Sequence, residues 1–225
     1  MGKLTSKNIF LELCKAADSK KIILLDLDNT LYDYDSCHVH AIRTSYWFYL
    51  KKIGRITFKN FLRKYNGARN LVKIPLRNQA ASHSRLLYFQ KMLELIFKRS
   101  MFKESLALED IYWKAFLYKM KLFQWVIPFL KYCKKNKKKI VIATDLCSQI
   151  QFSKIIKLKI YSYVDFIVSS EEAGVEKPDP FIFSYALKKV SGNRKDAVII
   201  GDSYRKDKSE NIRTIIIKDG LLSQI

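Results

Sequence analysis

Residues 22–32 read Ile-Ile-Leu-Leu-Asp-Leu-Asp-Asn-Thr-Leu-Tyr, and this stretch constrains the chain more than any other. A run of branched apolar residues stops at two aspartates, Asp26 and Asp28. Apolar runs of this length, closed by a polar turn, predict a strand buried on both faces in a parallel sheet. In such sheets ligands bind beyond the carboxyl ends of the strands. The sequence therefore puts two carboxylates where an α/β protein keeps its chemistry. In an extended strand they share a face, and the turn at Asn29 can re-aim the second.

Two carboxylates this close resist ionising together unless a cation sits between them or one takes a proton. Either outcome is useful. A hard divalent cation takes oxygen ligands. A carboxylate can be a nucleophile while its neighbour passes protons. Three later segments extend the pattern. Residues 140–145, Ile-Val-Ile-Ala-Thr-Asp, form a second apolar run that ends in a hydroxyl. Residues 174–180, Gly-Val-Glu-Lys-Pro-Asp-Pro, place Lys177 just before a proline that opposes helix. Residues 198–203, Val-Ile-Ile-Gly-Asp-Ser, form a further buried-strand run, and Asp207 comes soon after it. Strand ends and loops thus supply Asp26, Asp28, Thr144, Lys177 and Asp202.

This constellation resembles the haloacid dehalogenase-like hydrolase superfamily. Asp26-Leu27-Asp28-Asn29-Thr30 is similar to its first motif, Thr144 to its second, Lys177 in Glu-Lys-Pro-Asp-Pro to its third, and Gly201-Asp202-Ser203 with Asp207 to its fourth. The resemblance implies a three-layer, Rossmann-like α/β core with a parallel sheet and an inserted α-helical cap domain. It implies that Asp26 attacks phosphorus and that Asp28 serves as general acid and base. It places Mg²⁺ on the side chains of Asp26 and Asp202 and on the backbone carbonyl of Asp28. Thr144, Asp145 and Lys177 fall at the phosphate-binding positions, and Asp207 and Ser203 support the metal site from behind. Phosphoryl transfer is mostly positioning and charge stabilisation, and such a set supplies both.

Asp28 discriminates within the family. Members that cleave carbon–halogen bonds lack a carboxylate there, because a halide leaving group needs no proton. Its presence favours a phosphomonoesterase. Two features depart from the family pattern. Many relatives carry Asn after the second-motif hydroxyl, where this chain has Asp145, and an extra acid there would repel phosphate unless it turns away or binds something. After Asp207 the chain also leads almost directly into Ile212–Ile217, about one helical turn short.

The core is expected in residues 1–32 and 124–225, with a helix over part of residues 1–20, and the cap in 33–123. In the latter, Leu86, Phe89, Leu93, Ile96 and Phe97 follow helical spacing. Ser105–Met120 predicts another helix, and Pro75 interrupts the region. Caps in this family select substrates. Arg85 and His83 are candidates to meet a substrate's hydroxyl, carboxylate or second phosphate; alternatively Arg85 pairs with a cap acid and Ser82 caps a helix. Tyr34 and His38, just after the first motif, are candidate gating residues. Leu27 through His38 also resembles phosphatases of bacterial surface-polysaccharide pathways, which ranks sugar, polyol and amino-alcohol phosphates first.

Among the 225 residues the formal charge is +21, and 32 of the 42 basic residues are lysine. With abundant Ile, Asn, Tyr and Phe, that mix reads as compositional bias more than as a nucleic-acid face. The densest run, Lys134-Lys135-Asn136-Lys137-Lys138-Lys139, falls in the link between a helix and a strand. No apolar stretch reaches the roughly 18–20 residues that span a bilayer, and no secretory leader is evident, so a cytoplasmic location without a membrane partner is expected. The four scattered cysteines predict neither a zinc site nor a disulfide framework. The expected protein is a Mg²⁺-dependent phosphatase of a small phosphate ester. A nucleotide 5′-phosphatase or sugar phosphomutase is the enzymatic alternative, and a basic nucleic-acid-binding protein the non-enzymatic one.

Overall fold

The computed structural model describes residues 5–218 and 221–224. The outermost parts of the expected core, residues 1–4 and 225, and residues 219–220 lie outside them. The chain divides into two compact units, Met1–Asp33 with Lys121–Ile225, and Tyr34–Met120.

The first unit is built on a sheet. Helix α1 (Ser6–Ala17) starts at Thr5, whose hydroxyl caps the Asn8 N–H, and leads into strand β1 (Ile22–Leu25). After the inserted unit come α6 (Val126–Lys135), β2 (Lys139–Thr144), α7 (Ser148–Lys157), β3 (Phe166–Ser169), the single turn α8 (Ser170–Ala173), α9 (Pro180–Lys189), β4 (Ala197–Gly201), β5 (Arg213–Lys218) and β6 (Leu221–Gln224). Among the described residues these form one six-stranded sheet in the order β3-β2-β1-β4-β5-β6. All neighbours are parallel except β5 and β6. Every residue of β1 and β4 is buried, as the continuous apolar runs require of strands covered on both faces. Alternate residues face each layer. Ile22, Leu24, Val141, Ala143, Ala197 and Ile199 pack with Ile182, Phe183, Ala186 and Leu187 of α9. No described helix is long and apolar enough to cross a membrane.

From β1 the chain builds outward through β2 and β3 on one side, then through β4 and β5 on the other. The order reverses beside β1, and such switch points open a crevice at the strands' carboxyl ends.

The lysine run before β2 is not a uniformly solvated surface. Lys138 is buried, and its ammonium donates to the carbonyls of Ala17, Asp18 and Lys20 at 2.7, 2.9 and 2.7 Å. Lys134 and Lys139 both pair with Asp165, at 2.9 and 3.2 Å. Buried lysine is tolerated where oxygens replace its water shell.

The second unit is helical: α2 (Tyr34–Lys52), α3 (Phe58–Lys73), α4 (Arg85–Phe97) and α5 (Phe102–Lys119). Its core is aromatic, with Tyr49, Phe61, Tyr65, Tyr88, Phe89, Tyr112 and Phe116 all buried. Ser84, not Ser82, caps α4, its hydroxyl accepting the Leu87 N–H at 3.3 Å. Ser82 lies two residues earlier in a 3-10 turn, Ala80–His83, and its carbonyl accepts the Tyr88 hydroxyl.

Candidate active site

Asp26 extends β1 by one residue, its N–H donating to Ile200 of β4 at 2.9 Å. The next turn passes through Asn29 at φ 63° and brings Thr30 back, so that its hydroxyl donates to Asp26 Oδ2 at 2.6 Å. Lys177, delivered by the loop before α9, reaches the other oxygen. Its ammonium lies 2.5 Å from Asp26 Oδ1 and 2.6 Å from Asp207 Oδ1. Lys177, Asp26 and Asp207 are all buried.

Asp202 succeeds β4, and the chain then turns so that Asp207 comes back over the strand end. The Ser203 N–H donates to Asp207 Oδ2 at 3.0 Å, and the Asp207 N–H to the Ser203 carbonyl at 2.8 Å. Gly201 makes this return possible, because a Cβ there would stand 2.3 Å from the Asp207 carboxyl carbon. Ligand oxygens of Asp26, Asp202 and Asp207 lie within 4.8 Å of one another. Asp207, expected behind the metal ligands, has its carboxylate within the cluster. The Asp28 side chain, by contrast, lies outside the cluster.

The electrostatics come from Asp26 and Asp207 in contact with the Lys177 ammonium, with the charges of Asp202 and Asp145 close by. Burial pushes the Asp26 carboxyl up to about 7, with Lys177 opposing and Asp207 and Asp202 adding to the rise. Burial and Asp207 push Asp202 up to about 6. Burial alone would lower the Lys177 ammonium, but Asp207, Asp26 and Asp145 hold it well above its ordinary value. Carboxylates this short of positive charge, gathered at one point, suit a hard divalent cation.

Thr144 closes β2, and its hydroxyl accepts from Gln151 Nε2 at 2.6 Å and donates to the Asp145 carbonyl at 3.3 Å. Asp145, expected among the phosphate-binding residues, has both oxygens committed elsewhere. Oδ1 accepts the Lys177 N–H at 3.0 Å, and Oδ2 meets the Lys206 ammonium at 2.6 Å. Burial raises its carboxyl, but Lys177 and Lys206 outweigh that and hold it below the ordinary value. The extra acid is thus neutralised by Lys206 and helps hold the Lys177 loop.

Asp28 is gripped from another side. The Lys154 ammonium is 2.7 Å from each of its oxygens, and the Tyr32 hydroxyl donates to Oδ1. Lys154, Gln151, Tyr32 and Lys206 are site residues that sequence reasoning missed. For α7 the hydrophobic pattern points the wrong way. Gln151 and Lys154 are fully buried, while Phe152 and Ile156 are exposed.

The expected specificity residues come together inside the helical unit. Arg85 is buried and, among the described residues, forms no ion pair. Its guanidinium donates to the His83 carbonyl at 2.6 Å and to the Tyr34 hydroxyl, and lies 5.2–5.4 Å from the ring centres of Tyr88, Tyr112 and Trp113. Ring faces and two oxygens do the work of the expected counter-ion. His38 Nδ1 lies 2.6 Å from the Tyr112 hydroxyl, and its ring stacks on Tyr34.

A family model for haloacid dehalogenase-like hydrolases matches residues 20–208. The chain belongs to this family. Ribulose-1,5-bisphosphate 5-phosphatase of Halopiger xanaduensis is 34% identical over 186 residues, covering 82% of this chain and 77% of the relative. Glyceraldehyde 3-phosphate phosphatase of Methanopyrus kandleri is 27% identical over 187 residues, covering 83% and 77%. Among solved structures, a 2-haloacid dehalogenase from Pseudomonas syringae superposes with a TM-score of 0.67 at 23% identity, covering 88% of this chain and 86% of its own. A phosphatase of the family from Thermococcus onnurineus gives 0.65 at 19%, with the same coverage. These likenesses extend to the fold, and the hydrolase family makes the chain an enzyme.

Proposed function

We propose that the chain is a cytoplasmic, Mg²⁺-dependent phosphomonoester hydrolase that acts through an aspartyl-phosphate on a small phosphorylated metabolite. The observation that carries this reading is the buried cluster at the ends of β1 and β4, where Asp26, Asp202 and Asp207 gather beside Lys177. Asp26, Asp202 and Asp207 would hold the cation, with the Asp28 carbonyl. When bound, it neutralises phosphoryl oxygens and the carboxylates' mutual repulsion.

The chain's own groups supply the rest. Asp26 attacks phosphorus, and the bond to the ester oxygen breaks. Asp28 gives that oxygen a proton and then takes one from the water that hydrolyses the acyl phosphate, freeing Asp26 and phosphate. Thr144 and Lys177 bind the transferring oxygens. A carboxylate at position 28 supports an alkoxide leaving group over a halide. The helical unit, residues 34–120, is the cap that selects substrates. A phosphorylated sugar is common to the motif likeness and to the names of the two relatives, which favours that class over nucleotides. The pairing of Lys134, Lys138 and Lys139 within the fold weighs against a basic nucleic-acid face.

The test is phosphate release, with Mg²⁺ and with EDTA, from sugar, polyol, amino-alcohol and nucleotide phosphates. Asp26→Asn should abolish Mg²⁺-dependent release; a variant that keeps more than about a twentieth of the activity would refute nucleophilic catalysis by Asp26. Sugar-phosphate isomers formed without free phosphate would point to a mutase instead.

A further inference from the structure

Helix α7 buries two polar side chains beside Ile155. It turns Gln151 and Lys154 inward with no exposed surface and leaves Phe152 and Ile156 exposed. Burying an ammonium while exposing two large apolar side chains runs against hydrophobic burial on both counts. The offset comes from what the two polar side chains hold. About one helical turn apart, Gln151 fixes the Thr144 hydroxyl and Lys154 grips both oxygens of Asp28. The Tyr32 ring is fully buried and adds its hydroxyl to Asp28 Oδ1.

We infer that Lys154 is a positioning residue for the reaction: with Tyr32 it locks the Asp28 carboxylate in one orientation and leaves Oδ2 as the oxygen that exchanges protons with the leaving group and the attacking water. Oδ1 receives two donors and Oδ2 one, so Oδ2 keeps the more open lone pair. Asp28 is the part-exposed member of the pair, with 22% of its side chain accessible against none of Lys154. The lysine therefore acts through Asp28. A carboxylate at the end of a turn has free rotation about two bonds. Contacts fixed by a helix and a buried ring remove it, and orientation of this kind is worth about a hundred-fold when a reacting group would otherwise stray by an ångström.

The inference rests on the phosphatase reading, and 4-nitrophenyl phosphate separates the two. Nitrophenolate leaves without a proton, so forming the aspartyl-phosphate does not need Asp28, whereas hydrolysing it does. Wild type, Lys154→Met and Tyr32→Phe are mixed rapidly with this substrate and Mg²⁺, and nitrophenolate is followed through the first turnover and into steady state. Lys154→Met keeps the side chain's volume and removes its charge. It should release a burst of nearly one nitrophenolate per enzyme at close to the wild-type rate, then turn over about a hundred-fold more slowly, with KM lowered in parallel. Tyr32→Phe should show the same pattern with a smaller fall. Lys154→Arg, which restores a donor, should recover part of the steady-state rate. A burst and steady state that fall together in Lys154→Met, or neither changing, would overturn the inference. If Lys154→Met does not fold, Tyr32→Phe decides by the same two outcomes. Failure of wild type itself to release phosphate would sink the phosphatase reading instead.

Discussion

His38 gives the helical unit a defined acid sensitivity. Its ring lies among Tyr34 of α2, Tyr65 of α3 and Tyr112 of α5, with centroids 6.1, 6.2 and 5.8 Å away. The charged groups that act on it are Arg85 of α4 and Arg69 of α3. Burial first, then these two cations, lower its pKa from 6.5 to about 4. The native protein thus refuses a proton that the unfolded chain accepts near pH 6.5. The neutral ring's contribution is complete above that pH and is lost as the pH falls toward 4. At roughly 1.4 kcal/mol per pH unit the full effect is about 3 kcal/mol. His38→Gln can offer the Tyr112 hydroxyl either a donor or an acceptor and carries no titrating group, so it isolates the effect. Urea denaturation of both proteins in steps from pH 7 to pH 4 should show the wild-type advantage shrinking by about 3 kcal/mol, while the carboxylates common to both cancel. The chain has only three histidines, so the imidazole signals of His38, His40 and His83 can be assigned by deletion. A His38 midpoint at or above pH 6, or a stability difference flat with pH, would refute the reasoning.

Two further substitutions probe the strand ends. Gly201→Ala would drive a methyl into the Asp207 carboxyl, 2.3 Å from its carbon, and Asp207 is pinned by Ser203 and Lys177. Phosphate release should fall about a hundred-fold and urea stability by about 1–3 kcal/mol, and wild-type values in both would show that the close approach does not constrain the site. Asp145→Asn keeps an acceptor for the Lys177 N–H but loses the part-exposed pair with Lys206 and one of the charges that favour the Lys177 ammonium, so it should cost about 1 kcal/mol and part of the activity. Asp145→Ala removes the acceptor too and should cost more of both; melting curves and phosphate release that rank the two equally would refute a positioning role for Asp145.

The strand ends were legible because parallel strands advertise themselves. Ile22–Leu25, Ile140–Ala143 and Val198–Ile200 are continuous apolar runs, and each leads within two residues into Asp26, Thr144 or Asp202. The partners of the acids were not legible. Lys154 lies 126 residues from Asp28, and Lys206 lies 61 from Asp145, so local periodicity holds no trace of either pair. In a chain with 32 lysines, residue type adds no signal. The surround of Arg85 was illegible for a related reason. From sequence Arg85 suggests a substrate group or an acidic partner, and among the described residues it forms no ion pair. Its aromatic surround is assembled from α2, α4 and α5 and exists only once they pack.

Three buried lysines show how the same side chain is put to different uses. Lys138 is held by three backbone carbonyls and Lys177 by two carboxylates, while Lys154 grips both oxygens of one carboxylate. Carbonyl dipoles satisfy an ammonium without asking anything further of it, and Lys138 accordingly ties α1 and its loop to the start of β2, at the end of the strand remote from Thr144. A carboxylate partner has a charge that can be called on elsewhere. Both lysines with such partners sit at the carboxyl ends of the strands, where one partner is the proposed nucleophile and the other the proposed acid and base. Removing Lys138 should therefore weaken the fold and spare the chemistry of whatever folds, whereas removing Lys154 or Lys177 should act on the chemistry first.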